Sequence, residues 1–328
     1  MKKRRLLLVL LVLLGVFLIS GCTKEKSEQQ ESKAWAPSSE ITIINPWSVG
    51  GSADTKTRLV AQYLEDITGQ NVVVKVINGG AGALAAADFL GKPYDPHRMM
   101  LPGIGMFTLV PLMNKNLPYT FDDFRVVAEL VSEPFILFTN PSKSGISSME
   151  ELLEFAKNNH LVYASNPPGG TTYLLQTALF KMAGVEAESV AGSSVENLTA
   201  LLGGHVHVTA VNPSLGKPYL KDGTLVPIGV FSDGAYTAYE DFTVPSVKND
   251  FGYDIVFQSS NFFVLGKEAS DETVDYYYKA FMEVYENPEF LKKAAEMNYT
   301  PSKMPPDELK NKILSTADLF KRLTELIL

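Results

Sequence analysis

The sequence predicts an α/β protein whose mostly parallel strands fall into two similar lobes. Three observations predict it. From residue 41 onward a short apolar run, a glycine-rich loop and an amphipathic stretch follow one another three times; that order marks parallel strands joined through helices. A second block repeats it from residue 135. No Ser/Gly-rich linker separates the blocks, so the chain is expected to pass between lobes through ordered strands.

In the first block, Ile41–Asn45 reads as a strand that breaks at Pro46-Trp47-Ser48-Val49-Gly50-Gly51. Thr55–Thr68 follows with Leu59, Val60, Tyr63, Leu64 and Ile67 at helical spacing. Asn71–Ile77 is a strand ending in Asn78-Gly79-Gly80-Ala81-Gly82, Leu84–Leu90 a helix, and His97–Leu101 a third strand before Pro102-Gly103-Ile104-Gly105. In the second block, strands are predicted over Phe135–Thr139, Leu161–Ser165, Ala187–Val190, Val206–Val211 and Thr224–Phe231. Helices are predicted over Met149–Asn158, Thr172–Met182 and Val195–Leu202. A strand at Asn261–Leu265 and helices at Glu272–Glu286, Pro288–Met297 and Pro306–Leu328 complete the chain.

Composition excludes several functions. At 328 residues and 45% hydrophobic content the chain can bury one or two sizeable cores. A net charge of −8 argues against nucleic acid as a partner, because phosphate binding needs a basic face. One cysteine excludes internal disulfides, CxxC redox chemistry and cysteine-based zinc sites.

That cysteine has a telling position. Lys2-Lys3-Arg4-Arg5 precedes Leu6–Ile19, fourteen residues without a charge, which reads as an export signal. A permanent span would need about 20 apolar residues. The run ends Ser20-Gly21-Cys22, and this resembles the lipobox of bacterial lipoproteins, in which the cysteine is acylated and becomes the mature N-terminus. A plain secretory peptide or a short buried helix is the alternative. Residues 1–21 carry four of the 29 basic residues and none of the 37 acids, so their removal leaves 25 against 37, a charge of −12. The polar segment 22–39 is expected to be a disordered tether holding a folded domain clear of a membrane.

Gly80-Ala81-Gly82-Ala83-Leu84-Ala85 fits the dinucleotide fingerprint. The acid that should close the next strand on a ribose is missing from His97–Pro102, so no cofactor is expected. What survives is generic: glycine-freed backbone amides at helix starts favour an anion. Four such loops, two in each block, suggest one cleft at the carboxyl ends of the strands. Candidate ligand contacts are Trp47, Ser48, Gly50, Gly51, Ser52, Asp54 and Thr55 in the first loop and Gly80, Ala81 and Gly82 in the second. Gly103 and Gly105 follow the third strand. The second block offers Ser165, Gly170, Thr171, Thr172, Ser193, Ser194 and Asn212. Asp54 and Thr55 could instead be helix N-caps. His205 and His207 share one face of a strand, yet no metal-ligand pattern accompanies them, and no nucleophile elbow or other catalytic constellation is present. No catalytic residue and no metal are expected.

An ordered set of motifs runs along nearly all of the mature chain. It comprises Pro46-x-x-x-Gly50-Gly51-x-x-Asp54, Gly80-Ala81-Gly82, Leu117-Pro118-Tyr119, Gly170-Thr171-Thr172 and Leu201-Leu202-Gly203-Gly204-His205-Val206. Together they resemble the TctC/Bug-type extracytoplasmic solute receptors of tripartite tricarboxylate transporters. The resemblance implies a two-lobed periplasmic-binding-protein-like fold of type II. Lobe 1 would be 40–134 plus 262–328, and lobe 2 would be 135–261. It implies a small carboxylate ligand, a di- or tricarboxylate such as a citrate-like acid, held by backbone amides and ordered waters at Ser48–Thr55 and Gly79–Ala83. Partners would be a large and a small membrane subunit, and the place of action extracytoplasmic, at a membrane through Cys22. A receptor signalling to a membrane kinase, or an exported enzyme using the same cleft, are the rival readings. Compared with many relatives the second loop reads Ala83-Leu84 in place of Gly-Asn, Val211 stands where an Asp is common, and Leu174 replaces a frequent His. These departures imply a cleft more apolar than average on its second-lobe side, and they leave both a citrate-like acid and a monocarboxylate with an apolar body open as ligands.

Overall fold

A computed structural model describes residues 34–239 and 242–327 of the protein. The expected signal peptide, Cys22 and most of the expected tether lie outside these residues. Trp35 to Leu328 forms one compact unit, and the tether reading fails for its last residues. The Trp35 ring packs edge-on at 5.4 and 5.3 Å from Tyr276 and Tyr277, and its amide donates to Glu272 Oε1 at 2.7 Å. Pro37 is buried, and the Ser38 amide donates to His97 Nε2 at 3.0 Å. Aromatic burial outweighs the polar composition that made residues 35–39 read as coil.

Strand β1 (Ile41–Asn45) is largely buried on both faces and lies inside the first lobe's sheet, between β2 and β3. Helix α1 (Ser52–Thr68) buries Leu59, Val60 and Leu64 along one stripe and ends at Gly69 in the left-handed conformation. Then come β2 (Val72–Val76), α2 (Ala83–Leu90), β3 (Arg98–Met100) and two short helices, α3 (Ile104–Thr108) and α4 (Val110–Met113). A ten-residue strand, β4 (Phe124–Glu133), leads out of the lobe.

The second lobe holds β5 (Ile136–Thr139), α5 (Met149–Asn158), β6 (Leu161–Ser165), α6 (Thr171–Met182), β7 (Ala187–Ala191), α7 (Ser194–Gly203), β8 (Val208–Val211) and β9 (Val226–Val230). A small hairpin, β10 (Tyr236–Tyr239) and β11 (Phe242–Val244), follows. Strand β12 (Ser259–Gly266) then returns to the first sheet, and α8 (Asp271–Glu286), α9 (Pro288–Glu296) and α10 (Pro306–Ile327) close the chain.

The two sheets share one plan. Their orders are β2-β1-β3-β12-β4 and β7-β6-β8-β5-β9. In each, one strand runs against the rest: β12 is antiparallel to β3 and β4, and β5 to β8 and β9. Those two strands adjoin the passages between lobes, at residues 134–135 and 257–258. The predicted α/β class with two mixed, mostly parallel sheets flanked by helices is what is found. The lobe boundary moves: β12 pairs from Ser259 opposite Glu133, so residues 259–261 belong to lobe 1 rather than lobe 2. Helix α10 packs on α3 and β4 of lobe 1 and on α6 of lobe 2, so it spans both. No helix among the described residues is long and apolar enough to cross a membrane.

Candidate functional site

The ends of the strands in both lobes face one cleft of about 760 Å³. Its first wall is the loop after β1. The Asp54 carboxylate organises that loop: it accepts from Asn45 Nδ2 at 3.1 Å, from the Gly50 amide at 2.9 Å and from Arg58 Nε at 3.1 Å. Burial would raise the Asp54 carboxyl, but the Arg58 and Gly50 hydrogen bonds, the Arg58 charge and Asn45 together hold it below the usual carboxylate range. Gly51 is the N-cap of α1, and it brings no side-chain acceptor to the helix. The first-turn amides of α1 therefore keep donor capacity at the cleft. Gly51 also has to be small, since a Cβ there would stand 3.0 Å from Ser48 O and Oγ.

Trp47 is fixed from both ends. Its indole Nε1 donates to Leu101 O at 3.0 Å, and its amide donates to Asn45 Oδ1 at 3.0 Å. Its ring lies against Gly103, where a Cβ would come within 2.8 Å of Cζ2. The second loop, Gly80–Gly82, is a single 3₁₀ turn with Ala81 in the left-handed region at φ 51°. A non-glycine residue there costs about 1–2 kcal/mol, and such strain collects at functional loops.

Lobe 2 supplies the opposite wall. Thr172 Oγ1 donates to Asn166 Oδ1 and accepts from the Asn166 amide, both at 2.8 Å, which ties the Pro167–Gly170 loop to the start of α6. Ser193 caps α7 in a capping box with Glu196. Phe135 and Phe257, on the two passages between lobes, stack at 6.1 Å with 9° between their planes and line the cleft floor.

Fourteen of the nineteen residues expected at the site line this cleft: Trp47, Ser48, Gly51, Ser52, Gly80, Ala81, Gly103, Gly105, Gly170, Thr171, Thr172, Ser193, Ser194 and Asn212. Five do not. Asp54 points its carboxylate back into the loop, and the N-cap role suggested for it falls to Gly51. Thr55 Oγ1 donates to Gly51 O and Ser52 O. Gly50 is an exposed turn residue at φ 74°. Gly82 sits at φ 97° over Met106, and Ser165 is buried with its hydroxyl turned to Asn166 O. Each shapes a loop from behind.

Other lining residues escaped the sequence reading. Asn78 opens the second loop and Asn166 directly precedes the Pro167–Gly170 loop, so the same strand-end argument covers them. Ser259, Ser260 and Asn261 reach the cleft because β12 inserts between β3 and β4, and Met106 and Met113 because α3 and α4 pack beneath it. No local pattern announces either. Among the described residues, no cluster of His, Cys, Asp and Glu could hold a metal. The His207 ring packs against Phe155 with centroids 4.8 Å apart and the planes tilted by 44°.

Two ion pairs, each made by a buried glutamate of β4, support the cleft on its lobe 1 side. Lys56 Nζ lies 2.6 Å from each Glu133 carboxylate oxygen, with both side chains buried. Four residues earlier, Glu129 is reached by Lys312 Nζ at 2.6 Å and by the hydroxyls of Ser260 and Ser302. Burial pushes the Lys56 ammonium down, and the charge and hydrogen bond of Glu133 oppose this.

Two α/β lobes, two crossing strands and a shared cleft of amides, hydroxyls and apolar side chains define a two-lobed solute-binding receptor of the periplasmic type. Comparison with known proteins agrees. Residues 57–327 match the family described as the tripartite tricarboxylate transporter family receptor, TctC, and the chain belongs to that family. A UPF0065 protein of Bordetella bronchiseptica is 27% identical over 219 residues, 66% of this chain and 64% of that relative, so the match spans just under two thirds of the relative's length. Among solved structures, an R. palustris protein with adipate superposes with a TM-score of 0.82 at 21% identity, covering 89% of this chain and 98% of that one. MatC of Rhodopseudomonas palustris with bound malate gives 0.78 at 19%, covering 88% and 99%.

Proposed function

We propose that this receptor is a lipoprotein, anchored through Cys22 on the outer side of a membrane, that captures a small carboxylate and delivers it unchanged to the membrane subunits of a tripartite tricarboxylate-type transporter. The observation that carries the ligand reading is the glycine-capped start of α1. There the backbone offers amide donors to an anion while Asp54, behind the loop, is already satisfied. The 3₁₀ turn at Gly80–Gly82 adds a second glycine-freed donor set facing the same space. The relatives solved with adipate and with malate, both carboxylates, support the same class of ligand.

Binding by this fold is hinge closure. The lobes are joined by residues 134–135 and 257–258, and a ligand touching both walls favours the closed arrangement by its differential contacts. Trp47 reports on it. In the Trp35→Phe variant, Trp47 is the remaining tryptophan, and its emission should change on titration of the detergent-solubilised full chain with carboxylates. No change and no thermal shift with di-, tri- or monocarboxylates would overturn the reading. For the anchor, Cys22→Ser should leave the protein outside the membrane fraction with ligand affinity intact. Loss of binding in that variant would contradict a tethering role.

A further inference from the structure

We infer that the ligand is a monocarboxylate with an extended apolar body, bound with its carboxylate at the lobe 1 loops and its apolar end along the α3–α4 wall. This deepens the carboxylate reading above and rests on it.

Three observations carry it. The first is charge. None of the residues lining the cleft is Lys, Arg or His. The cations behind lobe 1 are committed, Lys56 to both oxygens of Glu133 and Arg58 to Asp54. Amide donors can hold one carboxylate locally, but a second and third negative charge would enter the cleft without a counter-charge. The second is sign. Glu196, the charged residue of the lining, belongs to lobe 2, and its carboxylate is held in the ionised form by the Ser193 amide at 2.7 Å. A carboxylate at that end would meet like charge. The third is the wall itself. Ile104, Met106, Val110 and Met113 follow one another along α3 and α4, and Phe135 and Phe257 continue the apolar surface into the floor. At about 760 Å³ the space lies in the upper part of the roughly 300–1,000 Å³ range of drug-sized ligand sites. Ile104, Met106, Val110 and Phe257 are already shielded from water, so the apolar surface left for an alkyl or aryl body to cover is chiefly that of half-buried Met113 and Trp47.

The test is a titration series read by Trp47 emission in the Trp35→Phe full chain, in detergent below its critical micelle concentration. Probes are butanoate, hexanoate, 3-phenylpropanoate, adipate, citrate and hexanamide. Affinity should rise about fourfold for each added methylene, and citrate should bind at least tenfold more weakly than hexanoate. Met113→Gln, at a half-buried position that tolerates a polar side chain, should flatten the chain-length dependence, weakening hexanoate more than butanoate. Val110→Thr should do the same should the methionine variant fold poorly. Citrate or adipate outbinding hexanoate would overturn this inference and leave the carboxylate reading standing. Hexanamide matching hexanoate, or silence from every probe, would overturn the carboxylate reading and this inference with it.

Discussion

Ser214, on lobe 2, donates its hydroxyl across the cleft to Ser52 Oγ of lobe 1 at 2.9 Å, and Ser52 in turn donates to Glu133 Oε1 at 3.0 Å. Glu133 is the last residue of β4 before the chain leaves lobe 1 and is paired with Lys56. One hydroxyl relay thus joins lobe 2, the first cleft loop and the passage between lobes. A second bridge lies nearby: Lys217 Nζ of lobe 2 donates to Asn298 Oδ1 at 2.8 Å.

Ser214 is outside the residues that line the cleft, so it acts on binding through closure alone. Ser214→Ala should weaken ligand affinity about three- to tenfold, the worth of one hydrogen bond of about 1 kcal/mol. Chemical denaturation of the unliganded protein should be nearly unchanged. Equal affinities in wild type and variant would refute the latch.

The Lys56–Glu133 pair should show the asymmetry of a buried ion pair. Removing one partner, by Lys56→Met or Glu133→Gln, leaves a buried charge unpaired and should cost about 3–5 kcal/mol in urea unfolding. The double variant should recover a good part of that loss. Additive losses would mean that the two groups are not coupled.

Asp54 sets a pH dependence. Its folded carboxyl lies below the ordinary value of 3.8, so its contribution is complete above that value and is lost as pH falls through the lower folded one. Asp54→Asn should therefore be destabilised by about 1–2 kcal/mol at neutral pH. That deficit should shrink progressively below about pH 4. A deficit independent of pH would assign the effect to packing.

Gly82 is constrained twice, by φ 97° and by Met106, whose Sδ would lie 2.3 Å from an added Cβ. Gly82→Ala should destabilise the second loop by about 1–3 kcal/mol and weaken binding. Adding Met106→Ala should relieve the clash without restoring wild-type stability, because the positive φ persists. Full rescue would show that sterics alone hold the glycine.

Where the fold was legible, the signal was local. β1, β2 and the stripe of α1 could be read from periodicity because their partners lie within some thirty residues: Ile41 pairs with Val72. β4 was not anticipated at all. Its segment, FRVVAELVSE, is buried on both faces and carries two glutamates, so it shows neither alternation nor a clean apolar run. Those glutamates are buried only because Lys56 and Lys312 reach them from 77 and 183 residues away. The same distance hid Ser260 and Phe257 from the site.

By itself the amino-acid sequence determined the α/β class, the family and the glycine loops that open onto the cleft, since glycine spacing and strand–helix order are encoded between near neighbours. The tertiary structure decided which loop residues line the cleft and which, like Asp54 and Gly82, stand behind them. It also decided that one wall is apolar and that the lobes meet through Ser52 and Ser214. Such pairings depend on how sheets and helices from distant parts of the chain pack, and neither composition nor periodicity records that.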